Sequence, residues 1–188
     1  MVEKLLVFFV DSNKPAPKIT IIEEDKSDMV VLNDYIGPES DIISIGEKPV
    51  EVVSHKTGEV FNFSVQVYKI YYSPITSRIS LTANKREVTD TPIHQYIPEF
   101  KETLFEVTSG KQKNYTVKAY VLGKFLDDSV PVERDGFKIN PERLGKEEGE
   151  IIADVSETEI EKAAAKVVKE YFAGEVDKRS EEKRAKII

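Results

Sequence analysis

The run EVFNFSVQVYKIYY (59–72) restricts the fold of this 188-residue chain more than any other stretch. Phe61, Phe63, Val65 and Val67 alternate with Asn62, Ser64 and Gln66, and Lys69 continues the first series. A period of two sustained over that length places one row of side chains on each side of a strand, so the chain must build a sheet with a buried apolar face.

Other segments fit around that strand. In YTVKAYVLGKFL (115–126), Tyr115, Val117, Ala119 and Val121 alternate with Thr116, Lys118 and Tyr120. KITIIEED (18–25), MVVLNDY (29–35), SRISLTA (77–83) and KETLFEVTS (101–109) read as strands, with HKTG (55–58) as a turn and GKQKN (110–114) as a loop. DIISIGEKPVEVVS predicts two short extended pieces broken at Gly46 and Pro49. Thr89-Asp90-Thr91 offers helix caps with Pro92 at the first position, and Pro98 keeps that helix short.

The stretch 140–155, rich in Gly, Pro and Glu, reads as a connector. After it, Ser156 to Glu159 forms a capping box. Ile160, Ala163, Ala164, Val167, Val168, Tyr171 and Phe172 then make one stripe, predicting a helix over 156–172. The mixed-charge tail 175–186 either extends that helix or frays. Strands first and a long helix last predict an α+β fold, a sheet covered on one face. The corresponding division is a linking segment with short strands (1–50), a sheet domain (51–145), and a connector with a C-terminal helix (146–188).

Several chemistries are removed by composition. The chain has no cysteine, which excludes disulfides, thiolate nucleophiles and Cys-based zinc sites and agrees with a cytoplasmic setting. His55 and His94 are its two histidines and are not at metal-ligand spacing. No apolar run reaches the roughly 20 residues a membrane span needs, and VEKLLVFFV near the start is followed by no small-residue cleavage site. No P-loop, G-x-G-x-x-G or G-x-S-x-G motif is present. Glu23-Glu24-Asp25 reads as a solvated strand end. Residues 1–60 hold twelve Asp/Glu against six Lys within a net charge of −7, an acidic front that disfavours broad phosphate-backbone binding.

Two basic places remain. Lys85-Arg86 follows the strand 77–83, with Arg78 at that strand's start, and Arg134 lies in DSVPVERDGFKI (128–139), flanked by the apolar anchors Val130, Val132 and Phe137. A guanidinium suits anionic oxygens because its fork donates two bonds at fixed geometry.

The order strand, N-x-R-x-V-x-D, short helix, two strands, then V-P-V-x-R-x-x-F-x-I resembles the second, transducer domain of the GHKL ATPases, the group of the gyrase B subunit, MutL and the microrchidia-related ATPases. The first motif falls on Asn84, Arg86, Val88 and Asp90, with Lys85 where glycine is usual. The second falls on Val130, Val132 and Phe137, with Arg134 near the position of a lysine that, in MutL-like proteins, reaches the terminal phosphate of ATP. The likeness spans roughly residues 59–140 and implies a ribosomal-S5-domain-2-like fold. It also implies a phosphate contact through Arg134, with Lys85 and Arg86 as second choices. The chain lacks the D-x-G-x-G of the nucleotide pocket itself. The resemblance therefore implies no cofactor in this chain, and ATP with Mg in an upstream nucleotide-binding domain of a larger protein. The partners implied are that domain and a second copy in a homodimer.

Two other functions compete. In a nucleic-acid-binding module, Lys111, Lys113, Lys118 and Lys124 would form a basic edge with Tyr115 and Tyr120 interleaved for stacking. In a structural or oligomerisation module, the helix 156–172 would pack on the sheet or on another subunit without chemistry.

Overall fold

The computed structural model describes residues 6, 9, 17–22, 29–71, 76–108, 110–131, 136, 137, 139 and 155–185. The 59–72 alternation forms β4 (Val60–Tyr71), the axis of a mixed sheet. Its partners are β3 (Ile42–Val53) on one side and β9 (Lys111–Leu122) on the other, both antiparallel. β9 then divides its far edge between two strands. Its first half pairs antiparallel with β8 (Leu104–Thr108), and its second half pairs parallel with β5 (Arg78–Ala83). Two short pieces, β6 (Arg86–Glu87) and β7 (Thr91–Pro92), pair with β5. A separate ribbon joins β1 (Thr20–Ile22) to β2 (Met29–Val31).

Three α-helices are present among the described residues: α1 (Lys124–Asp128), α2 (Glu157–Tyr171) and α3 (Ala173–Ala185). The capping box is made in full. Glu159 N donates to Ser156 Oγ at 3.2 Å, and Ser156 N donates back to Glu159 Oε2 at 2.9 Å. The helices serve one face of the sheet. Ile160, Ala164, Val167, Val168 and Phe172, with Leu126 and Val176, join the core built on Phe63, Val65, Val67, Val117, Ala119, Val121, Ile79 and Leu81.

Several expectations need correction. β3 is one strand, not two pieces: its register shifts between Ser44 and Gly46, so Gly46 sits at a bulge. Pro49 is tolerated because, among the described residues, β4 is the strand paired with β3 there, the other edge carrying an isolated bridge from Ile36 to Ile42. The boundary drawn at residue 50 therefore falls inside β3, and α2 shares the core of the sheet domain. Within GKQKN, Gly110 makes the turn at φ 74°, while Lys111–Asn114 already belong to β9. The short helix after Asp90 is instead β7 followed by two 3-10 turns, Ile93–Gln95 and Pro98–Lys101. MVVLNDY ends in a 3-10 turn (Leu32–Tyr35). Nor is the opposite face bare: Leu6, Ile42, Tyr68, Ile70 and Tyr120 form a second, smaller cluster on it.

Candidate functional site

β5 and β6 are joined by Asn84-Lys85 alone, with φ of 48° and 63°. A two-residue hairpin loop with both φ values positive matches the twist of the strands, and Asn tolerates the left-handed region well. Lysine does not, so Lys85 occupies a position that favours glycine. The turn is fixed from outside: Asn84 N donates to Asp127 Oδ1 at 2.7 Å, and Asn84 Nδ2 to Asp127 O at 3.4 Å. Arg86 is exposed beside it and Lys85 is half-buried.

Asp127 lies on α1, which begins at a tight crossing. A Cβ on Gly123 would stand 2.7 Å from Phe63 Cδ1 and 3.1 Å from Asn62 O, so only glycine lets the chain leave β9 there. Phe125 then packs edge-on against Phe61, with ring centroids 4.6 Å apart, and Ser129 Oγ donates to Phe125 O at 2.6 Å. Val130 is half-buried, Phe137 packs against the core, and Ile139 is 3% exposed within it. Arg134 and Val132, between these anchors, lie outside the described residues. The hairpin carrying Lys85-Arg86 and the helix leading into the Val130–Phe137 segment thus meet at one end of the sheet.

Behind the hairpin, on the face opposite the helices, lies a charged network. Lys118 Nζ is 3.0 Å from Glu87 Oε2 and 2.9 Å from Asp90 Oδ1. Ser80 Oγ is within 3.2 Å of both carboxylates, and Tyr120 OH donates to Glu87 Oε1 at 3.1 Å. Arg78 Nη1 binds Asp90 O at 2.9 Å and stands 3.3 Å from Asp90 Oδ2. Burial, and after it the charge of Glu47, pushes the neighbouring Tyr68 hydroxyl up to about 12. Tyr68 OH donates to Gln66 Oε1 at 3.2 Å, and Arg78 Nε is buried without a partner among the described residues. The carboxylates of Glu87 and Asp90 are each held by several donors, so the network suits holding the hairpin better than proton transfer.

The basic edge imagined for nucleic acid is not assembled. Tyr115 and Tyr120 are 1% and 0% exposed, so no base can stack on them. Lys118 is taken up by Glu87 and Asp90, and Lys124 pairs with Asp128 at 2.8 Å. Lys111 and Lys113 remain exposed at the β8–β9 turn. Of the histidines, His55 is exposed 3.5 Å from Glu159 Oε1, and His94 is half-buried in a 3-10 turn. Among the described residues no group of three His, Asp or Glu is placed to hold a metal ion, and no helix is long and apolar enough to cross a membrane.

The meeting of residues 84 and 127 could not be read from the sequence, since 43 positions separate them and neither motif contains Asp127. Comparison with protein-family models, curated proteins and solved structures gave no match.

Proposed function

We propose that this chain is the transducer part of a GHKL-type ATPase, built on a ribosomal-S5-domain-2-like sheet and working in the cytoplasm. In this reading the nucleotide and its Mg belong to a neighbouring domain. Arg134, with Lys85 and Arg86 as second choices, is offered to the terminal phosphate. A charge-assisted contact made in the ATP state and lost in the ADP state biases domain closure and pairing with a second copy. The demand is modest, because a tenfold shift needs about 1.4 kcal/mol of differential contact.

The observation that carries this reading is the 2.7 Å bond from Asn84 N to Asp127 Oδ1. That bond ties the hairpin opening the 84–90 segment to the helix that leads into the 128–139 segment, which supports a ligand shared between them. A second observation agrees: the slot where the family pattern has glycine is Lys85, at φ 63°. The test is Arg134→Ala in the protein that carries the nucleotide-binding domain. We expect ATP turnover and nucleotide-dependent dimerisation to fall about tenfold or more. Unchanged values for both would remove the proposal.

A further inference from the structure

The chain between β5 and β9 passes from one face of the sheet to the other around the β5 edge, and it is fastened three times on the way. At its start Glu87 and Asp90 lie on Lys118, Arg78, Ser80 and Tyr120, on the face away from the helices. Once past β7 it turns under the helices, where Ile93, Ile97 and Phe100 enter the main core. There Glu161 of α2, 5% exposed, accepts the Thr91 hydroxyl at 2.6 Å and the Tyr96 hydroxyl. At its end Arg179 of α3 gathers three carbonyls. Nη1 donates to Glu99 O at 2.9 Å and Glu102 O at 3.2 Å, and Nη2 to Thr103 O at 2.7 Å. Ser180 Oγ adds a bond to Glu99 Oε1 at 3.1 Å.

Among the described residues α3 has little else to hold it. Val176 is its one buried side chain among the described residues, and 181–185 are exposed. The backbone breaks between α2 and α3 at Phe172, with φ −113° and ψ 27°. A helix with one apolar anchor depends on its polar ties, and Arg179 provides most of them. A lysine would offer its donors from a single nitrogen and could not span carbonyls that the two guanidinium nitrogens reach together.

We propose that residues 84–103 form a coupling rod. It links the Lys85-Arg86 hairpin at one end to the docking of α3 at the other, with Glu161 and Arg179 as the positioning residues that set the linkage. Displacing the hairpin loosens α3, and releasing α3 loosens the hairpin, because one continuous, thrice-fastened segment serves both. The linkage gives the transducer reading its output arm and rests on that reading for its purpose. Its test needs no nucleotide, so its failure is distinct from a failure of the Arg134 experiment.

The test is amide hydrogen exchange on this chain, read at α3 residues 176–179, with α2 residues 160–168 as the control for global opening. Arg179→Ala is expected to speed α3 exchange about tenfold or more, and Arg179→Lys to give an intermediate rate. Lys118→Met, which releases Glu87 and Asp90 at the far end of the rod, is expected to speed the same α3 amides while the α2 control stays at its wild-type rate. If Lys118→Met also opens α2, Asp90→Asn is read in its place. Combining Arg179→Ala with Lys118→Met, or with Asp90→Asn where that is read instead, should give less than the product of the two single effects. Wild-type α3 exchange in Arg179→Ala overturns the proposal, as does α3 exchange that ignores Lys118→Met, or Asp90→Asn where that is read instead.

Discussion

Lys85 shows how one residue serves two ends that conflict. Its left-handed backbone costs about 1 kcal/mol that glycine would not incur, yet glycine would remove a cation from the end of the sheet that the proposed function uses. Lys85→Gly is therefore expected to raise the urea midpoint while lowering any response to nucleotide in the parent protein. A lowered midpoint would show that the lysine side chain supports the turn. A second residue carries a different tension. Tyr115 is 1% exposed, and its hydroxyl has no hydrogen-bond partner among the described residues. Burial, followed by the charges of Glu175 and Glu106, drives its pKa far above the usual phenol range. Stacking on Phe172 at 6.2 Å holds the ring in place whatever the hydroxyl does. A buried, unsatisfied hydroxyl costs about 1 kcal/mol or more. Tyr115→Phe is accordingly expected to leave stability unchanged or raise it by about that amount, and a loss in denaturant titration would mean that the hydroxyl has a partner.

Elements were legible in proportion to how long their pattern ran unbroken. β4 and α2 follow from uninterrupted period-two and helical stripes, and both are present where the sequence places them. α1 was hidden because alternation in YVLGKFL runs straight into it, and its start depends on the close approach of Gly123 to Phe63, a tertiary fact. α3 carries so few apolar residues that its charges read as a tail, and the work of Arg179 appears only with Glu99, Glu102 and Thr103 beside it. The ion pair joining β8 to β4 was equally invisible. Glu106 Oε2 lies 2.7 Å from Lys69 Nζ, and Glu106 Oε1 accepts the Tyr71 hydroxyl at 2.5 Å. These two bonds hold the Glu106 carboxyl below its ordinary value of 4.5. The unfolded chain therefore binds a proton first as pH falls. The contribution is complete above 4.5 and is lost as pH drops through the lower, folded value. Glu106→Gln should cost stability at neutral pH and flatten the acid limb of a stability–pH curve. An unchanged acid limb would remove Glu106 from that account.

For the whole molecule, the sheet is a divider with unequal sides. One side carries the helices and the larger core; the other carries the charged network and the cluster around Leu6, which is 0% exposed. Alternation in β4 announced the first side and misled about the second, because Tyr68 and Ile70 continue the polar row of Ser64 and Gln66 as buried residues. Leu6→Ala should cost about 2–4 kcal/mol by emptying a filled site between distant parts of the chain. A thermal shift indistinguishable from wild type would show that Leu6 does not fasten that side. The outer margin of the sheet has a consequence of its own. β3 ends the sheet with Pro49 at mid-strand, the Gly46 bulge near it, and Lys48 bound to Glu170 on α2. A newcomer aligning along that border would meet a missing amide hydrogen, a kink and a committed charge within four residues, which disfavours fibril-like growth there.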